Sequence, residues 1–369
     1  MRNLVPALIL LVAAPLAACS SGPFHKLDPD GNGGSGGDQG TGGNGSGATA
    51  THPGDGGSPT TGNGGSPTTS SGDTTTGNGG SPTTTSSGET TTTPQPGEAC
   101  AGTIPQQPGC YWEPVCPDAS LDDLAVSYTP GAWLDAALEA TNRRYPSAHC
   151  LFDMYSYDVG NFADTWDFGP LCESMMTMMH EETHGYDYEH ALGNDHFSYF
   201  IRCDLTLTTP WLDGFPRSEI LSHVQGSATD LYDGTYLTGQ QGTYGWVEVL
   251  DEWNAYLNGM AAIGVVGDHV PAFGISGTDG ALAFAYYTEL YLKVARTQHP
   301  SIYAAIESDP EFLALLRLQW NRMHFFLQIA DQYPKLSIAA DDIRALVYAP
   351  ENQSELEMLL GPLSADACN

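Results

Sequence analysis

Residues 20 to 98 contain almost nothing with which to build a core. The stretch is Gly, Ser, Thr, Asn and Pro with scarcely a large apolar side chain. Collapse therefore cannot offset the roughly 1–2 kcal/mol per residue of conformational entropy lost on ordering. Within it Thr61-Gly62-Asn63-Gly64-Gly65-Ser66-Pro67-Thr68-Thr69 returns as Thr76-Gly77-Asn78-Gly79-Gly80-Ser81-Pro82-Thr83-Thr84. A repeat without apolar positions reads as tract expansion and not as a solenoid. The expectation is a disordered Gly/Ser/Thr/Pro-rich linker over 19–98, with a root-mean-square span of roughly 50 Å. Whatever folds lies to either side of it.

On the N-terminal side, Met1-Arg2 precedes an apolar run from Leu4 to Leu16. That run is shorter than the ~20 residues a membrane-spanning helix needs, and it has the layout of a secretory signal. It closes with Leu16-Ala17-Ala18-Cys19, which resembles the lipobox of bacterial lipoproteins. The resemblance implies a lipoprotein signal peptide over 1–18, cleavage before Cys19, and a diacylglycerol on the Cys19 thiol as membrane anchor. The workplace it implies is the bacterial cell envelope outside the cytoplasm, at the outer membrane or cell surface.

Residues 99–369 are long enough for one globular domain with a sizeable core. From Cys100 onward there are ten Lys and Arg against thirty-seven Asp and Glu, so the surface is strongly negative and nucleic acid is excluded as a partner. A solvated acidic surface that keeps an exported protein soluble accounts for the charge. Seven cysteines follow Cys19: Cys100, Cys110, Cys116, Cys150, Cys172, Cys203 and Cys368. In an exported chain they are disulfide candidates, the odd number leaves one thiol over, and no spacing matches a paired CxxC zinc ribbon. Cys100, Cys110 and Cys116 are expected to staple the start of the domain.

The pattern along the domain predicts an α-rich α+β fold. Thr129-Pro130 opens a helix with the stripe Trp133, Ala137 and Leu138, and Cys150 to Tyr157 alternates as a strand does. Gly169-Pro170 opens a second helix, with Leu171, Met175, Met178 and Met179 at helical spacing. Phe197 to Leu207 reads as a strand, Ser218-Glu219 starts a helical stretch, and Gly234 to Tyr244 is turn-like. Val247 to Ile263, Ala281 to Thr297, Pro310 to Tyr333 and Ile338 to Val347 read as packed helices, giving a mostly helical C-terminal half.

The second helix carries His180-Glu181-Glu182-Thr183-His184. Residues four apart lie one above the other on a helix face, so His180 and His184 can place two imidazole nitrogens on one ion. Glu181 adjoins the first of them and is placed to take a proton from an activated water. This HExxH helix, with a glutamate on a later helix, resembles the zincin metallopeptidases over about Leu171 to Met260. The resemblance implies one Zn2+ ion, a zincin-like catalytic domain, and hydrolysis of peptide bonds in a peptide or protein substrate, with Glu181 as general base.

The third ligand sets the subclass. Asp251-Glu252-Trp253-Asn254-Ala255-Tyr256 resembles the gluzincin segment and nominates Glu252. Glu248, one turn earlier, is an alternative ligand or an acceptor for a histidine N–H. His190 is the rival, since His180, His184 and His190 reproduce the metzincin spacing, although Asp187 stands where that pattern has glycine. His196 is a more distant candidate. Asp187 is also a candidate acceptor that fixes the tautomer of a ligand imidazole, and Tyr256, Tyr286, Tyr287 and His223 are candidate oxyanion donors. Two other functions compete: a non-catalytic surface-binding lipoprotein with a structural or vestigial metal site, and zinc hydrolysis of a cell-wall amide.

Overall fold

A helix with no solvent-facing side must lie at the centre of what surrounds it. Trp246–Val266 is such a helix, buried at every position except Glu248. The computed structural model describes residues 106–191, 195–271 and 276–369, with backbone alone over 155–158, all within one compact unit. Cys19, the signal peptide and the linker lie outside the described residues.

In chain order the described helices are α1 (Asp122–Ser127), α2 (Trp133–Arg144), α3 (Pro146–Val159) and α4 (Phe168–Ala191). After them comes a hairpin of β1 (His196–Arg202) and β2 (Leu205–Pro210). The remainder is α5 (Asp230–Tyr236), α6 (Trp246–Val266), α7 (Gly277–Gln298), α8 (Pro300–Ser308), α9 (Pro310–Ala330), α10 (Ala340–Val347) and α11 (Pro350–Leu360), with short 3₁₀ turns between. The fold is thus α-rich α+β, with one two-stranded antiparallel sheet among the described residues. No described helix is long and apolar enough to cross a membrane.

The central α6 packs against α4 on one side, α7 on another and α9 on a third, while β1 lies across both α4 and α6. On α4, Leu171, Cys172, Met175, Met176, Met178 and Met179 are buried. Removing each methionine from water is worth roughly 1.5–3 kcal/mol, and the flexible thioethers fill an irregular seam. Proline at the first helical position starts α8, α9 and α11, and Asp309 caps α9 by accepting from Glu311 N and Phe312 N.

Two expected elements are different in the structure. Cys150 to Tyr157 is helical, part of α3, with Ala148, Leu151, Phe152 and Val159 buried at helical spacing. The stretch expected as one strand over 197–207 folds back at Cys203-Asp204 into the β1–β2 hairpin, whose register slips between Phe200 and Arg202. The cysteine expectation also changes. Cys110 is bonded to Cys368, pinning the start of the described chain to its end, and Cys116 is disulfide-bonded as well. Tyr111 N donates to Ala367 O beside that bridge.

Candidate metal centre

α4 turns His180 and His184 toward α6, and Gly259 sets how close the two helices come. A Cβ at Gly259 would stand 3.2 Å from the Met176 carbonyl oxygen and 3.5 Å from the His180 Cβ. The bare backbone therefore lets α6 approach α4 at the motif. The two imidazoles meet edge to face, with Nε2 atoms 3.1 Å apart. From α6, Glu252 brings Oε2 to 3.5 Å from His184 Nε2 and 3.7 Å from His180 Nε2.

That carboxylate oxygen is buried and has no hydrogen-bond partner among the described residues. An orphaned buried oxygen costs free energy unless something electropositive meets it. The three candidate ligand atoms lie within 4.8 Å of one another. Two nitrogens each about 2.0–2.1 Å from one tetrahedral ion stand roughly 3.4 Å apart, so the spacing suits a single small cation. His180, His184 and Glu252 can bind a metal ion.

The surrounding charges prepare the group for this. Asp251 Oδ2 accepts from His184 Nδ1 at 2.7 Å, which leaves the Nε2 lone pair facing His180 and Glu252. Burial disfavours the His184 imidazolium, but the Asp251 and Glu252 carboxylates outweigh it and hold its pKa well above the usual value, so a cation bound at Nε2 must displace the proton held there. His180 goes the other way, lowered by burial and by His184. Burial alone would raise Glu252. The neighbouring His184, with Arg217 and His180, holds it below the ordinary carboxylate range instead.

Arg217 explains the second oxygen of Glu252. Its Nη2 lies 3.7 Å from Glu252 Oε1, and its Nε donates to Tyr236 O and Gln241 O at 2.8 Å each. The guanidinium is fully buried between the Tyr236 and Tyr244 rings. Oε1 is thus turned to Arg217 and Oε2 to the histidines.

A polar frame holds the two helices and the hairpin in register. Asp187 accepts from Phe200 N at 2.6 Å and from Asn254 Nδ2 at 2.9 Å, while Asn258 Nδ2 donates to Thr183 Oγ1 at 3.0 Å. Arg322 on α9 donates to Asn254 Oδ1 at 2.8 Å, Asn258 Oδ1 at 2.7 Å and Ile201 O at 3.2 Å. Asp187 is therefore not the acceptor for a ligand imidazole, which is Asp251. It joins β1 to α6 behind the site, where burial and the neighbouring Asp251 raise its pKa well above the usual carboxylate value.

The other candidates fall elsewhere. His190 is exposed on the last turn of α4, with Nδ1 2.8 Å from Tyr186 O. Glu248 accepts from Gly245 N at 3.0 Å and caps α6, and His196 is exposed at the start of β1. None of these three belongs to the ligand group. Glu181 is half-buried and close enough to His180 to act on its charge.

Of the four candidate oxyanion donors, Tyr256 alone is shown against a motif histidine. Its ring centroid is 4.4 Å from that of His180, and its hydroxyl is 2.7 Å from the Tyr236 hydroxyl. Tyr286 accepts from Gln225 N, Tyr287 bonds Asp233, and His223 is half-buried beside Gln298.

The supporting residues Asn254, Asn258, Arg217 and Arg322 did not emerge from the motif, and Asp251 emerged only as an acidic neighbour of Glu252. One signal pointed to some of them. Asp251, Asn254 and Asn258 are polar residues at spacings of three and four in an otherwise apolar helix, which puts them on one buried face. No family model matches the chain, and neither a curated protein nor a solved structure matches it.

Proposed function

We propose that the protein is a zinc-dependent peptidase held outside a bacterial cell by a lipid at Cys19 and a long linker. The observation that carries this reading is that His180 Nε2, His184 Nε2 and Glu252 Oε2 lie within 4.8 Å of one another, with Glu181 close enough to His180 to act on its charge. Two histidines four apart and a glutamate from a later helix are the ligand set of a gluzincin-like site, and a closed structural zinc site has no use for Glu181. Zinc held there would supply Lewis-acid activation of water and of the scissile carbonyl.

The chain's own residues divide the remaining work. Glu181 takes a proton from the attacking water and returns it to the leaving amine. Asp251 keeps the His184 ring in one tautomer and orientation, and Arg217 keeps Glu252 ionised and aimed. The Tyr256 hydroxyl, backed by Tyr236, is the donor best placed for negative charge developing on the carbonyl oxygen.

One observation favours a second reading, a non-catalytic surface protein with a closed metal site: His180 is 6% and Glu252 5% exposed. A single experiment separates the two. The purified protein is assayed for zinc content and for cleavage of a mixed peptide library, beside its Glu181→Gln variant. The peptidase reading expects one zinc per chain in both and hydrolysis in the unsubstituted protein alone. Zinc in both without hydrolysis in either establishes the closed site, and full activity in Glu181→Gln rules out Glu181 as the base.

A further inference from the structure

Seven cysteines follow Cys19, an odd number that leaves at least one thiol over. Cys110 and Cys368 are bonded to each other, and Cys116 is in a disulfide. Cys150, Cys172 and Cys203 are thiols. Cys172 sits on α4 with no exposed surface, and burial pushes its thiol up to about 12. It can reach neither another chain nor an oxidant while the fold is intact.

The other two are neighbours in space although 53 residues apart in sequence. Cys203 occupies the turn between β1 and β2, and its Sγ lies 3.5 Å from the carbonyl oxygen of Pro146 and 3.9 Å from that of Ser147. Those carbonyls belong to the first turn of α3. In an α-helix the Pro146 carbonyl accepts the N–H of the residue four positions on, which is Cys150. Side chains lean toward the N-terminus of their helix, so Cys150 overhangs the turn that Cys203 touches. Cys150 is the neighbouring side chain that acts on the Cys203 thiol.

We propose that Cys150 and Cys203 form a disulfide in the exported protein, leaving Cys172 as the one unpaired thiol of the folded domain. The chemistry is dithiol–disulfide exchange with a disulfide-bearing donor. The Cys203 thiolate attacks one donor sulfur, breaking the donor S–S bond and releasing one donor thiol. The Cys150 thiolate then attacks Cys203 Sγ in the mixed disulfide and releases the second donor thiol. Two electrons pass to the donor, and the two cysteine protons end on its two thiols. Burial and the neighbouring Cys150 push the Cys203 thiol up to about 12. The bond ties the start of α3 to the hairpin whose β1 strand holds Asp187 through Phe200 N. This proposal rests on the export proposed above, but on neither the metal site nor catalysis.

The test is alkylation of the full chain, purified from an oxidising compartment, denatured without reductant and mapped by peptide mass. The expected result is alkylation of Cys172 but not of Cys150 or Cys203, together with a crosslinked peptide pair holding these two that is two hydrogens lighter than its reduced parts. Alkylation of both Cys150 and Cys203, or a crosslink of either to a different cysteine, overturns the proposal. The Cys150→Ala variant keeps the test independent of the donor used. Its Cys203 becomes alkylatable, and its Tm falls by roughly 5–15 °C, with no further fall when Cys203→Ala is added. Equal and additive losses from the two substitutions count against the bond.

Discussion

His184 donates its Nδ1–H to Asp251 Oδ2 across 2.7 Å, a contact between residues 67 positions apart that decides which imidazole nitrogen faces His180 and Glu252. The adjacent residue on α6 supplies the carboxylate on the other side of the same ring. One short segment of helix thus provides both a ligand candidate and the group that orients another ligand. Consecutive helix residues point about 100° apart, so Asp251 and Glu252 reach His184 from two directions.

This arrangement makes Asp251→Asn informative. Asparagine keeps the size, and its carbonyl can still accept from Nδ1, but the charge that favours that tautomer is gone. The expected outcome is a roughly 10- to 100-fold loss of zinc affinity with the fold retained. Competition titration against a chelator measures it, with circular dichroism to show that the helices persist. Unchanged affinity would mean that the Asp251 contact does not hold the ligand in place.

Much of the site was legible in the sequence because its signals are local. The HExxH spacing, the Met175 to Met179 run and the Gly169-Pro170 start place two histidines on one face of a buried helix without tertiary information. Glu252 was legible as the favoured third member, with Glu248 and His190 as alternatives. Separating it from Glu248 and His190 depends on how α6 lies against α4, and that rests on Gly259 and on side chains far away in sequence. The misread elements fail for a related reason. Cys150 to Tyr157 is short and apolar enough to fit either period, and the start of the helix is marked by Pro146, outside that window. The β1–β2 turn at Cys203-Asp204 carries no Asn-Gly or Asp-Gly signal, so the hairpin is specified by packing on α4 and α6 rather than by its turn.

Arg322 tests that frame from the far side. It is fully buried, donates to Asn254, Asn258 and the Ile201 carbonyl, and lies close enough to the buried Glu113 carboxylate to offset part of the rise in pKa that burial causes there. Arg322→Met fills much of the volume but strands two asparagine oxygens and leaves the buried Glu113 with only the Tyr111 and Ser147 hydroxyls as donors. The expected cost is about 3–5 kcal/mol, read as a lower urea midpoint with an unchanged slope. A loss below about 1 kcal/mol would show that the network contributes little to holding α9, α6 and β1 together.

Glu289 predicts the opposite sign. It sits on α7 with no exposed surface, and neither carboxylate oxygen has a hydrogen-bond partner among the described residues. Nearby, Glu355 is already committed to Arg296 through contacts of 2.7 and 3.0 Å. Burial, with the Glu355 charge added, raises the Glu289 pKa well above its ordinary value of 4.5. A carboxyl group whose folded pKa is raised binds its proton more tightly in the folded state. Its relative contribution is therefore fully present below pH 4.5 and is lost as pH rises toward the folded pKa. Glu289→Met removes the titration and keeps the bulk. The variant should be more stable than the unsubstituted protein by about 1–3 kcal/mol at pH 8, with the gap closing as pH falls toward 4.5. Urea unfolding of both proteins across that range measures it. A gap that stays constant with pH would place the effect in packing, and a destabilised variant at pH 8 would mean that the Glu289 carboxylate has a partner that stabilises its charge.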